Sequence, residues 1–219
     1  MHLSAIALVT LLAWGIPKDA MFGVRVTNLL DVPTYFKLRT LHDDLYRSYF
    51  VNLDFNYSPT SEENIYQMPS REEKTTRKRT TGDFELSVGV ELMDVEPLKE
   101  FSKGVQLNFL SGFTPFLDFS ADYSREEIDS STTKNYIVDG ALGLTGVWGV
   151  EATFKLFGKD MALQVLNSVF TVKTGYRYTS AVASYPDRTS KFITKTPYID
   201  FTGIDLIAGE LSVWLLVKL

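Results

Sequence analysis

The stretch Phe84-Glu85-Leu86-Ser87-Val88-Gly89-Val90-Glu91-Leu92 decides the fold. Every even position in it is apolar, and every odd position is charged, hydroxylic or glycine. A period of two belongs to an extended strand, whose successive side chains point to opposite faces. The same alternation recurs at Tyr49, Val51, Leu53, Phe55 and Tyr57, with Asn52, Asp54 and Asn56 between them. It recurs again over Leu117–Tyr123, in Phe170, Val172, Tyr176 and Tyr178, and in Leu211, Val213, Leu215, Val217 and Leu219. Such rows, in a chain with 15 Phe and 11 Tyr, predict an antiparallel all-β protein. Helix candidates are few. Val95–Lys103 carries Pro97 and supports a turn or two at most. Lys159–Ser168 is helix-friendly in composition but lies between strands, and is read as a strand.

The connections sort into two kinds. Ser58–Gly82, Ser124–Lys134 and Val182–Pro197 are polar and read as long loops; Leu41–Tyr46, Asp94–Gly104 and Phe157–Asp160 read as short links. Long and short links in alternation suit an up-and-down barrel with two different rims. A Greek-key sandwich has no reason to sort its loops this way. No short internal repeat points to a propeller or solenoid.

The apolar row of each strand faces either a core or lipid. Three features favour lipid. Tyr49, Tyr57, Tyr123, Tyr136, Tyr176 and Tyr178 stand at strand ends, where aromatic girdles of membrane barrels lie. The polar rows are small (Gly89, Ser120, Gly140, Gly143, Gly175) or carry both signs of charge. Acids stand there at Glu85, Glu91, Asp118, Asp122, Asp139 and Glu151, and bases at Lys155, Lys173 and Arg177. A narrow barrel needs small residues inside, and its buried charges need partners. The segments also run about ten residues or more, enough to cross a bilayer at a tilt of ~45°.

The expectation is one all-β domain over residues 1–219, an antiparallel up-and-down transmembrane β-barrel. Strands are expected near 3–14, 20–41, 47–57, 83–93, 105–124, 135–156, 161–181 and 200–219. Eight result, an even number with both termini on one side. Ten would follow if 135–156 divided at Gly146–Gly149. Leu3–Trp14 is too short for a spanning helix; it reads as the first strand or, within residues 1–20, as a signal-peptide remnant. In the second case 20–41, interrupted by Pro33, splits in two and the count stays eight. An eight-stranded barrel is filled by side chains and leaves no open pore.

One resemblance bears on place and role. GALGLTGVWGVEATFKLFGKD (140–160) leads into VFTVKTGYRYTSA (169–181), then a polar stretch, then IDFTGIDLIAGELSVWLLVKL (199–219). That succession resembles the closing strands of small bacterial outer-membrane β-barrel proteins, most clearly over 136–219. Members usually end in an aromatic residue, where this chain has Leu219. The resemblance implies a membrane protein of the bacterial outer membrane and cell envelope, with surface-exposed loops. It implies a non-enzymatic structural, adhesive or minor-permeation (porin-like) role. The alternatives are a soluble lipocalin-like barrel for a small apolar ligand, and an outer-membrane lipid-modifying or proteolytic enzyme.

Composition narrows the chemistry. The 219 residues (24.7 kDa) carry 22 basic and 27 acidic side chains, a net charge of -5, which disfavours a nucleic-acid partner. No cysteine is present, so no disulfide or Cys-based metal site exists. With only His2 and His42, histidine metal clusters are nearly excluded, and no cofactor, metal or catalytic residue is expected. His42-Asp43-Asp44 resembles the acid–His groupings of outer-membrane enzymes, yet falls at a short turn and reads as solvated. The Gly140–Val150 run lacks the Gly-Lys-Ser/Thr ending of a phosphate loop. One basic cluster, Lys74, Arg77, Lys78 and Arg79, suits charge-assisted contacts to lipopolysaccharide phosphates. Glu62, Glu63, Glu72 and Glu73 in the same stretch suit a solvated loop. The expected partners are membrane lipid and lipopolysaccharide, with oligomeric state left open.

Overall fold

The computed structural model describes residues 19–26, 35–42, 45–68, 71–101, 104–128, 131–202 and 211–219; the side chains of His42 and residues 62–76 lie outside that description. Leu3–Trp14, Pro33, Asp43 and Asp44 also lie outside it. Nine strands are described: β1 (Met21–Arg25), β2 (Tyr35–His42), β3 (Leu45–Met68), β4 (Arg71–Phe101), β5 (Val105–Ile128), β6 (Ser131–Leu156), β7 (Lys159–Ser184), β8 (Thr189–Thr202) and β9 (Leu211–Lys218). All pairings are antiparallel, each strand from β1 to β7 beside the next, and β9 closes the ring between β7 and β1. β9 pairs with Met161–Asn167 of β7, and β8 with Thr171–Ser184 further along the same strand. Nine strands therefore fill eight positions of an up-and-down barrel.

The first expected strand pair takes the split form. The 20–41 stretch is two strands, β1 and β2, paired from Met21↔Arg39 to Val24↔Phe36. β6 runs unbroken through Gly146–Gly149, so the division of 135–156 that would have given ten strands does not occur. The 200–219 strand is replaced by β8 and β9 on either side of residues 203–210.

The three polar stretches are not long loops. The β3–β4 ladder continues from Leu45↔Asp94 to Met68↔Arg71, so Ser58–Gly82 is mostly a hairpin arm. β5 and β6 pair up to Ile128↔Ser131, and β7 and β8 up to Ser184↔Thr189. Polarity misleads here because a ladder needs only backbone partners, and Thr-rich segments suit the pleat whether wet or dry. The short-link end behaves similarly: β4 runs through Val95–Lys99 to Phe101, with one residue, Leu98, extra against β5. Pro97 has no N–H for the ladder, and a bulge is where a strand tolerates it. Between β6 and β7 the chain reverses through Phe157 (φ 51°) and Gly158 (φ 77°), both left-handed as a tight hairpin turn with matching twist requires.

A second bulge sets the facing of β7. Gly146 pairs with Phe170 and Val147 with Ser168, leaving Val169 extra. Below it Ala162, Gln164 and Leu166 are buried; above it the odd residues Thr171, Lys173 and Arg177 continue the inward row. Without that one-residue insertion the two halves of β7 would present opposite faces to the interior.

Candidate functional site: the barrel interior

The inward rows bring polar side chains together where a soluble domain places aliphatic ones. Lys37, Arg39, Ser48, Asn52, Glu91, Asn108, Glu151, Gln164 and Asn167 are all buried. Lys37 and Arg39 come from β2, Glu91 from β4, Glu151 from β6 and Gln164 from β7. Lys37 Nζ lies 2.6 Å from Glu91 Oε2 and donates to Gln164 Oε1 at 3.4 Å. Arg39 pairs with Glu151, which also accepts from Gln164 Nε2 at 2.8 Å and from the Tyr46 hydroxyl at 3.0 Å. Lys37 sits 4.0 Å over the Trp214 ring, and the Arg39 guanidinium 4.1 Å over Tyr46. Two cations, two carboxylates and their hydrogen-bonding neighbours form one neutral cluster, the condition under which buried charge is tolerated. Met93, Leu110, Leu166, Trp214 and Leu216 form a buried apolar cluster in the same interior, meeting the charges where the Trp214 ring lies against Lys37.

Higher in the barrel a second group forms around Asp139. Its Oδ2 accepts from Arg177 Nε at 2.8 Å and its Oδ1 from the Tyr198 hydroxyl at 2.5 Å. Between the two groups lies a chamber of about 130 Å³ lined by Tyr35, Phe50, Glu91, Thr114, Thr145 and Trp214, among others. The Thr114 hydroxyl on its wall is buried without a protein hydrogen-bond partner. Below the cluster a recess of about 360 Å³ opens among Met21, Arg39, Leu41, Tyr46, Met161 and Lys218.

The outer wall is apolar. Phe55 is 70% exposed, Leu142 59% and Phe113 53%, with Tyr49, Leu117 and Tyr176 near half. Leu86, Val88, Leu117, Phe119, Leu142 and Tyr176 line one continuous outer recess. Aromatic pairs mark the wall's two ends: Tyr123 with Tyr136 toward the long hairpins (ring centroids 5.0 Å apart) and Phe109 with Trp148 toward the short turns (6.2 Å).

Several sequence expectations meet here. Glu91 is inside, and Val88 belongs to the outer recess. Gly143 faces inward against Phe116, where a Cβ would collide with the ring. Gly140 is a correction: its neighbour Asp139 takes the inward position, so Gly140 falls on the outer wall beside Leu142. Two adjacent strand residues cannot share a face. Lys155 is exposed at the short-turn rim, 3.5 Å from Asp160.

The basic cluster is spread along an exposed hairpin arm. Arg77 contacts Glu126 of β5 at 2.5 Å, and Lys78 and Arg79 are exposed opposite Glu127 and Glu126 in register. Lys74 pairs with Ile65 through its backbone, and its side chain lies outside the described residues. His42 ends β2 opposite Leu45. Sequence reasoning missed Lys37 and Arg39, although their signal was present: they alternate with Phe36, Leu38 and Thr40 as the polar row of a strand. No family model, curated protein or solved structure matches the chain.

Proposed function

We propose that this protein is a non-enzymatic β-barrel of a bacterial outer membrane, serving as a surface-presenting scaffold with at most minor permeation. One observation carries the reading: the polarity of the barrel is inverted, with paired charges inside and exposed Phe, Leu and Tyr outside. In water that surface would forfeit about 25 cal/mol per Å² of apolar area left uncovered, and soluble monomers rarely expose such a contiguous patch. In a bilayer the same wall is solvated, and ring closure pairs the backbone groups within the wall. A lipocalin-like protein needs the opposite polarity, an apolar interior for its ligand and a polar exterior. The hairpin arms rise from the end of the barrel opposite Ala20 and Leu219, the arrangement of outer-membrane barrels that carry their longer connections on the extracellular side.

Refolding from urea tests this directly. The full chain should stay soluble only with detergent or lipid and migrate differently on gels before and after boiling. A monodisperse, detergent-free folded protein would sink the membrane reading. Lipopolysaccharide contact through Lys74, Arg77, Lys78 and Arg79 is the surface role proposed for the β3–β4 arm. Replacing all four with Gln should weaken lipopolysaccharide binding at low salt, and equal binding by native and substituted proteins would remove that role.

A further inference from the structure

Among the described residues, two cavities of the interior are divided by one thin partition. Glu91 lines the upper chamber and Arg39 the lower recess, so the ion-pair cluster to which both belong separates the two. The chamber is roomy for water, which needs about 10–15 Å³ of such space per molecule. The hydroxyls of Thr145, Ser168 and Ser212, with the unpartnered Thr114 Oγ1, give that water sites to bind.

Above the chamber the inward rows turn acidic. Asp54 stands directly opposite Glu85, and Asp83 opposite Asp122. Asp118 and Asp139 add two more carboxylates, against Lys173 and Arg177. Like charges placed across a ladder cost stability in isolation. In a wet funnel they raise the local concentration of cations and repel anions.

We propose that the barrel passes small monovalent inorganic cations, with the Lys37–Glu91 pair as the barrier between funnel and recess. This rests on the membrane reading above and adds the permeant and the barrier to it. In the structure the way is shut, because Lys37 Nζ spans from Glu91 to Gln164 across the chamber floor. Lys37 is the movable member: its ammonium, held by Glu91, Gln164 and the Trp214 ring, ends a flexible four-carbon stem, whereas the Arg39–Glu151 pair is a planar fork on a carboxylate that also accepts from Gln164 and Tyr46. When Lys37 swings off Glu91, a carboxylate remains at the floor of an acidic funnel, an arrangement that admits a cation and excludes an anion. The narrow, side-chain-filled interior of an eight-position barrel keeps larger solutes out.

The test uses the full chain refolded in detergent and inserted into phosphatidylcholine planar bilayers, first in symmetric 1 M KCl and then across a tenfold KCl gradient. The native protein should give brief, small openings with a reversal potential on the potassium side. Lys37→Gln should lengthen open time several-fold and strengthen potassium preference, while Glu91→Gln, which leaves the ammonium facing the funnel, should reduce current below native. Gln164→Ala loosens the floor without changing its charge and should also lengthen openings, which guards against a Lys37 variant that fails to fold. Chloride preference, or no current from native, Lys37→Gln and Gln164→Ala proteins that insert and show the heat-dependent gel shift, would overturn the proposal and leave the membrane reading intact. Failure of the native protein to insert at all would instead strike that reading.

Discussion

The lower part of the barrel and the hairpin arms above it are built from the same antiparallel ladder but held by different forces. Around Lys37 and Glu151 the ring is closed on all sides, the charged side chains are buried, and each charge has a partner. In the arms, Arg77 and Glu126 also form an ion pair, yet their side chains are 46% and 33% exposed. Identical chemistry differs in consequence because water competes for the second pair and not for the first. Burial makes a partnership obligatory; exposure makes it optional.

The largest effect should come from breaking the closed region. Glu151→Ala strands Arg39 without its counter-ion and removes an acceptor from Gln164 and Tyr46; it should cost about 3–5 kcal/mol. Urea unfolding in lipid, followed by tryptophan fluorescence, would report it, and a loss under about 1 kcal/mol would mean that water reaches the cluster. Next comes the outer wall of the same region. Val88→Arg puts a cation on the apolar outer wall and, in the membrane setting proposed above, should cost about 2–4 kcal/mol if residue 88 lies near the bilayer midplane. Single cysteines at 88 and 91 would sharpen this: aqueous reagent reaching 88 freely in lipid would reverse the facing of β4.

Gly143→Ala probes packing without charge. The new Cβ meets the Phe116 ring, and over-packing of this kind costs about 1–3 kcal/mol. A neutral result would show that Phe116 moves freely into the chamber beside it. The smallest effect is expected in the arms, where Arg77→Ala should change stability by at most about 1 kcal/mol. Joining Thr60 to Arg79 through a two-residue turn should keep the heat-dependent gel shift, since the ring below pairs independently of the arm. Loss of the folded form on shortening would show that the arms help to nucleate the barrel, and would erase the contrast between the regions.

Legibility followed the same division. Where one face is wet and the other dry, alternation is forced, and Phe84–Leu92 and Leu117–Tyr123 showed strand and facing together. In the arms both faces are wet, alternation vanishes, and Ser58–Gly82 reads as a loop although its backbone is laddered. The β7 bulge was hidden for another reason: Leu163 and Val165 below it and Phe170 and Val172 above it each alternate well, but out of phase by one residue. Only a partner strand reveals which of them lacks an opposite number. Of the interior cluster, Glu91 and Glu151 were visible on polar rows, while Lys37 and Arg39 lay in a segment broken by Pro33.

By itself the sequence determined the strand class, the two-sided polarity and the up-and-down succession from β3 to β7, because period-two patterning is a local property of the chain. Which charges meet is a matter for tertiary structure alone. Lys37 and Gln164 are 127 residues apart, and Arg39 and Glu151 112, and no local preference links positions so distant. Their meeting depends on ring closure through β9, on the register of every ladder between them, and on the single extra residue at Val169, which keeps Gln164 and Arg177 on the same side of the wall.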